Sequence, residues 1–123
     1  CFHMSNIFMK SSWGSDDPTR ASMVFEHGHA LAEAGHDVRI FLLGDATNLA
    51  RPAVRKNIFP IGWAPLQEYW DKCVELGVRI ECCGACSTAR GVTQEEIAGA
   101  GASIGSPATF VESVEWSEKI IAE

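Results

Sequence analysis

Three of the five cysteines in this chain lie within five residues, and two of them form a Cys-x-x-Cys pair at Cys83 and Cys86. The pair follows a predicted strand and begins a predicted helical turn. Unpaired N–H groups at the start of a helix stabilise a thiolate and lower the pKa of the cysteine, and Arg90 brings a positive charge nearby. We therefore predict a reactive site with Cys83 as nucleophile, Cys86 as second thiol and Arg90 as the stabilising cation.

The two adjacent cysteines, Cys82 and Cys83, must have different roles. In a strand predicted over residues 78–83, successive side chains point to opposite faces of the sheet. Cys82 shares its face with Val78 and Ile80, so we predict that it is part of the core. The cluster is also too compact for disulfides that join distant segments, which favours reduced thiols and a cytoplasmic location.

A zinc site is the first competing interpretation, because Cys-x-x-Cys supplies half of a structural zinc site. The other half is missing. Cys73 is predicted on the core face of a helix, and His27, His29 and His36 form no second pair at ligand spacing. Since residues two apart on a helix point in different directions, we expect His27 and His29 at the surface or at an interface. We therefore predict no metal and no cofactor.

Two further interpretations of the cysteines stay open. The thiols can be small buried groups without chemistry, as free cysteines often are. Alternatively, the pair can act as a dithiol exchanger, as in thioredoxin. A thioredoxin site follows the first strand of its βαβ unit and has tryptophan before the first cysteine, whereas this motif follows later strands and has Cys82 at that position.

Composition restricts the partners and the size of the domain. The chain has 123 residues, 46% of them hydrophobic, and a formal net charge of −6. This length suits one globular domain, and the negative charge argues against nucleic acid and anionic membranes. No apolar run approaches the roughly 20 residues of a membrane span. The His3-Met4 junction is typical of an expression vector, so we expect residues 1–3 to be a vector remnant and the domain to cover residues 4–123.

Strand and helix patterns alternate along the chain. The sequence predicts strands over residues 6–9, 37–43, 78–83, 102–105 and 119–122. It predicts helices over residues 18–34, 65–76, 93–98 and 107–116, with a broken helix and a long loop over residues 46–63. Alternation of this kind requires crossover connections, hence a mainly parallel sheet with helices on both faces, a three-layer α/β/α fold. In such folds reactive groups gather beyond the C-terminal strand ends, where Cys83 is predicted.

The sequence resembles the DsrE/DsrF family, which includes the TusD-type sulfur-relay proteins. The resemblance covers almost the whole chain. It is carried by Asp16-Asp17-Pro18-x-Arg20-Ala21, Gly35-His36-Asp37-Val38, Phe41-Leu42-Leu43-Gly44-Asp45, Cys83-Gly84-Ala85-Cys86 and Ala89-Arg90-Gly91-Val92. In the family, the cysteine eight residues before the glycine of the Arg-Gly pair carries the sulfur, which corresponds here to Cys83.

The resemblance implies a five-stranded core, a persulfide on Cys83, and donor and acceptor proteins for the sulfur. It also implies assembly into oligomers, and we expect a homo-oligomer, either a dimer or a trimer. Two alternatives remain for the function. Cys86 can make the pair a dithiol redox site, or the chain can be a non-catalytic oligomeric binding or regulatory module.

Overall fold

The computed structural model describes residues 2–123, and Cys1 lies outside the described residues. Five strands form one sheet in the order β4-β3-β2-β1-β5, and every neighbouring pair is parallel. The strands are β1 (Asn6–Ser11), β2 (Asp37–Leu42), β3 (Arg79–Cys83), β4 (Ser103–Gly105) and β5 (Lys119–Ala122). The predicted α/β fold with a parallel five-stranded sheet is confirmed.

Within the described residues, six α-helices and one 3₁₀ helix connect the strands. They are α1 (Pro18–Glu33), the 3₁₀ helix (Gly44–Ala50), α2 (Pro52–Arg55), α3 (Leu66–Glu75), α4 (Gly84–Ala89), α5 (Gln94–Gly99) and α6 (Pro107–Trp116). Asp17 caps α1 by accepting a hydrogen bond from the Arg20 N–H at 3.0 Å, as its position before Pro18 predicts. Thr93 and Glu96 form the predicted capping box of α5. None of the helices described is long and apolar enough to cross a membrane.

The main core lies on one face of the sheet. Alternate residues of the central strands, such as Met9, Ile40 and Cys82, pack there against Phe25 of α1 and Trp70 of α3. The rings of Phe25 and Trp70 lie 4.8 Å apart. The prediction that Cys82 belongs to the core is confirmed, since its side chain is fully buried.

The opposite face of the sheet is covered by α6. Because β4 and β5 lie at opposite edges, the chain between them must cross the sheet, and α6 makes that crossing. Phe110 of α6 packs edge-on against Phe8 and Phe41, with ring centroids 5.3 and 5.4 Å away. The layer of α1 and α3, the sheet, and the layer of α6 form the three layers that the sequence predicts. Cys83 is the last residue of β3, and its side chain lies on the α6 side of the sheet.

Candidate functional site

Cys83 lies where β3 ends and α4 begins. Its backbone is extended and it acts as the N-cap of α4, with Sγ accepting a hydrogen bond from the Cys86 N–H at 3.5 Å. The side chain is half-buried, in contrast to the fully buried neighbour Cys82. The strand therefore holds Cys83 at the C-terminal edge of the sheet, the place that the sequence predicts.

A different part of the chain influences the Cys86 thiol. The Gly44 backbone N–H stabilises the thiolate of Cys86 and so lowers its pKa. Gly44 follows β2, which is the parallel neighbour of β3, so both strands end at the same edge of the sheet. The positive φ of Gly44, 53°, turns the chain from β2 into the 3₁₀ helix, a conformation that glycine adopts without strain.

The pKa values of the two cysteines shift in opposite directions. Burial raises the pKa of the Cys83 thiol, and the Cys86 N–H only partly offsets that effect. The hydrogen bond from Gly44 is the main reason why the pKa of Cys86 lies below its usual value. The expected lowering of the Cys83 pKa is therefore wrong, because removal from water outweighs the N–H groups around Cys83.

The two thiols also act on each other. Their interaction raises the pKa of Cys83 and lowers the pKa of Cys86. Both cysteines remain free thiols. Of the two, Cys86 therefore loses its proton at the lower pH.

Arg90 is fixed by the loop that follows β2. Its Nε donates to Asp45 Oδ1 at 2.9 Å, and its Nη1 donates to the Cys86 carbonyl oxygen at 3.3 Å. The Arg90 charge lowers the pKa of Cys86, in addition to the Gly44 hydrogen bond. The structure thus brings Cys83, Cys86 and Arg90 together, with the cation acting on the second thiol.

Gly44 and Asp45 are site residues that the sequence analysis did not assign. The available signal was their position directly after a strong strand, since neighbouring parallel strands end at the same edge. Arg51 supports the same region, because its Nη2 donates to the Arg90 carbonyl oxygen at 2.8 Å.

An apolar pocket of about 350 Å³ opens beside Cys83, between the sheet and α6. Its lining consists of Lys10, Phe41, Leu43, Cys83, Ser106, Pro107, Phe110 and Val111. The Cys83 thiol is therefore next to a mostly apolar space.

The remaining cysteines and the histidines lie away from this site. Burial raises the pKa of both Cys73 and Cys82 to about 12, so neither is a nucleophile at neutral pH. His29 is buried and stacks on Tyr69 at 5.7 Å, which corrects the expectation that it lies at the surface or an interface. Within residues 2–123, no group of three or more potential ligands is arranged to hold a metal ion.

The chain is similar to a curated protein and to several solved structures. It is 34% identical over 67 residues to the uncharacterized protein MK0008 of Methanopyrus kandleri, a match that covers 54% of this chain and 51% of that protein. The match thus spans about half the length of this relative. The fold is similar to that of the ychN protein from E. coli, with a TM-score of 0.78 and 17% identity over 98% of this chain and all of that one.

Two further structures, both of proteins of unknown function, have the same fold. BT1422 from Bacteroides thetaiotaomicron has a TM-score of 0.70 and 19% identity, over 99% of this chain and 100% of that one. MTH1491 from Methanobacterium thermoautotrophicum has a TM-score of 0.65 and 13% identity, over 95% of this chain and 96% of that one. The model of the DsrE/DsrF-like family, whose members are generally related to sulfur relay, matches residues 6–122. The chain therefore belongs to the DsrE/DsrF-like family.

Proposed function

We propose that this protein is a sulfur-relay carrier that holds sulfane sulfur as a persulfide on Cys83. The observation that carries the proposal is the half-buried Cys83 thiol, which accepts a hydrogen bond from the Cys86 N–H, lies beside the Cys86 thiol of lowered pKa and lines an open pocket. A nucleophile in contact with a group that takes its proton is the usual arrangement for covalent catalysis. Family membership supports the same chemistry.

In the loading step, the Cys86 thiolate takes the proton of the Cys83 thiol. The Cys83 thiolate then attacks the outer sulfur of a donor persulfide, R–S–S–H. The S–S bond of the donor breaks, R–S⁻ leaves with the electron pair, and Cys83 becomes Cys83–S–S–H. The Cys86 N–H, which points at Cys83 Sγ, stabilises the negative charge on that sulfur during the exchange.

The persulfide then passes to an acceptor protein by the same exchange in reverse. The sulfur is bonded directly to the protein, so the proposed reaction uses no metal and no organic cofactor. We place the protein in the cytoplasm, as a homo-oligomeric dimer or trimer with separate donor and acceptor proteins. A reducing compartment keeps both thiols available for the exchange.

A dithiol redox function is the second candidate, and the proximity of the two thiols across one turn of α4 favours it. The Cys86 thiolate can attack the inner sulfur of Cys83–S–S–H. This forms a Cys83–Cys86 disulfide and releases HS⁻, so the protein dithiol is oxidised and the sulfane sulfur is reduced. The chain would then act as a persulfide reductase that needs an external thiol to restore the pair.

Intact-protein mass spectrometry after brief exposure of the reduced protein to inorganic polysulfide separates these functions. A carrier gains one sulfur atom at Cys83 and passes it to an added thiol. Cys83→Ser should abolish this gain. Cys86→Ser should load more slowly at neutral pH and keep its persulfide longer, because the variant lacks both the proton acceptor and the resolving thiol.

The outcomes assign the function. Loading that persists at other cysteines in Cys83→Ser contradicts the assignment of the carrier. Rapid sulfide release with a disulfide in the wild-type protein supports the reductase. If the protein gains neither sulfur nor a disulfide, the cysteines are unreactive and the chain is a binding module.

A further inference from the structure

The pocket beside Cys83 has two chemically different parts. Most of its lining is apolar and comes from β2, the residue after β2, and α6, including Phe41, Leu43, Phe110 and Val111. Its charged lining residue is Lys10, on β1. The pocket thus combines an apolar wall, a cation and the thiol of Cys83 in one concave space.

The charge of Lys10 is available to a ligand. None of the ion pairs formed among residues 2–123 involves Lys10. The backbone of Glu123 lies next to that of Lys10, since the Glu123 N–H donates to the Lys10 carbonyl oxygen. Its carboxylate is mostly buried, however, and Oε1 lies 2.7 Å from His27 Nδ1. Lys10 can therefore complement an anionic group that enters the pocket.

The size of the pocket indicates the size of the ligand. A volume of about 350 Å³ lies within the usual range of small-molecule sites, roughly 300–1,000 Å³. An apolar wall with one charged residue at the side fixes the orientation of a ring-sized organic group. A short inorganic polysulfide would leave most of this space unfilled.

We propose that the pocket binds the organic group of a low-molecular-weight persulfide, apolar and ring-sized with an anionic end, and holds its outer sulfur at Cys83. This inference rests on the proposed function, because it adds a low-molecular-weight donor to the donor proteins proposed for the same cysteine. The atoms balance as in the loading step. The donor R–S–S–H gives its outer sulfur to the Cys83 thiolate, and R–S⁻ leaves through the pocket.

Three donors with chemically similar leaving thiols test this proposal. They are benzyl persulfide, 4-carboxybenzyl persulfide and 2-hydroxyethyl persulfide, and the readout is the initial rate of sulfur addition at Cys83 by mass spectrometry. We expect benzyl persulfide to load about tenfold faster than 2-hydroxyethyl persulfide, as burial of a few apolar groups allows. The 4-carboxybenzyl persulfide should load about threefold faster than benzyl persulfide, because its carboxylate pairs with Lys10 and an exposed ion pair has an effect of this size.

Val111 and Val74 provide a matched pair of variants. Both valines are on helices and partly exposed, at 52% and 40%, but only Val111 lines the Cys83 pocket. Val111→Asp should bring the rates for benzyl and 2-hydroxyethyl persulfide close together, whereas Val74→Asp should keep the wild-type ratio. Lys10→Met should remove the preference for the carboxylate and leave the preference for the benzyl group.

The results distinguish failure of the pocket from failure of the carrier. Equal rates for all three donors at Cys83 in the wild-type protein overturn the pocket and leave the carrier intact. A benzyl preference that survives Val111→Asp also overturns the pocket as the recognition site. If no donor adds sulfur at Cys83, the proposed function fails and the inference fails with it.

Discussion

Cys82 and Cys83 are adjacent in sequence, yet they lie in the two most different regions of this molecule. Cys82 points into the face of the sheet that α1 and α3 cover, where its side chain is fully buried among apolar groups. Cys83 points to the face that α6 covers, where the pocket opens. Strand alternation alone separates a fully buried thiol from one that lines an open pocket.

Both faces of the sheet contain buried charged side chains. On the α6 face, Glu81 is buried and its Oε1 lies 3.4 Å from Arg79 Nε. On the α1 and α3 face, the buried Arg55 guanidinium lies 4.9 Å over the Trp70 ring. The two faces therefore differ in how completely they are covered, and the candidate site adjoins the less covered one.

Thiol alkylation gives the largest expected contrast between the faces. At pH 8 a thiol with a pKa of about 12 is ionised to roughly 10⁻⁴, whereas a thiol with the usual pKa of about 8.5 is ionised to roughly a quarter. Because the pKa of Cys86 is lowered, iodoacetamide should label Cys86 in the native protein at least about 10³-fold faster than Cys82 or Cys73, with Cys83 intermediate. Peptide mapping at short times measures the rates.

Labelling in urea is the control for that experiment, because Cys73, Cys82, Cys83 and Cys86 should then react at similar rates. Equal and slow labelling of every cysteine in the native state would remove the distinction between the two faces.

The pH dependence of stability tests the buried thiols. Unfolded cysteines ionise near pH 9, but Cys73 and Cys82 keep their protons in the folded state up to about pH 12. The unfolded state therefore binds fewer protons than the native state, and the free energy of unfolding falls as pH rises through this range. Each thiol should contribute a loss of about 1.4 kcal/mol per pH unit between pH 9 and 12.

Urea unfolding at pH 8 and pH 10 measures this loss, and Cys82→Ala provides the comparison. The variant should be less stable at pH 8, because it leaves a small cavity, but its stability should fall less steeply with pH. Identical slopes for the variant and the wild-type protein would show that Cys82 is accessible to base.

Two glycines test the packing of the two faces. A Cβ on Gly105 would lie 2.5 Å from the Phe41 ring on the α6 face, so Gly105→Ala should lower the free energy of unfolding by about 1–3 kcal/mol. A Cβ on Gly28 would meet the end of the Ile40 side chain at 2.9 Å. This tip can rotate, and alanine favours the helix by up to about 1 kcal/mol, so Gly28→Ala should cost less.

Gly99→Ala is the control for both glycine variants, because nothing lies within 4 Å of the position of its Cβ. Denaturant unfolding should rank the loss of stability as Gly105, then Gly28, then Gly99. A smaller loss at Gly105 than at Gly28 would mean that the α6 face packs more loosely than its ring contacts indicate.

Arg90→Gln should have the smallest effect. Arg90 is partly exposed and paired with Asp45, and its charge contributes less to the low pKa of Cys86 than the Gly44 hydrogen bond does. We expect the alkylation rate of Cys86 at pH 7 to fall about two- to fivefold, with a smaller change at high salt. A loss of more than tenfold would make Arg90 the dominant stabiliser of the thiolate.

Much of the fold was predictable, because local patterns carry it. Helices and strands were predicted to within a few residues. The signals were the caps at Asp17 and Thr93, the breaks at glycine and proline, and the helical or alternating spacing of apolar residues. The position of Cys83 at a strand end follows from the same patterns. The burial of His29 was not predictable, since a polar residue on a helix gives no sign of the ring of Tyr69 that stacks on it.

The sequence by itself determined the elements, the alternation that separates Cys82 from Cys83, and the spacing of Cys83, Cys86 and Arg90. Only the tertiary structure decided which thiol ionises first. That choice depends on the Gly44 N–H and on burial of Cys83, and both come from pairing β2 beside β3 and laying α6 across the sheet. Periodicity records which side of a strand a residue occupies, but it contains no information on which distant strand becomes its neighbour.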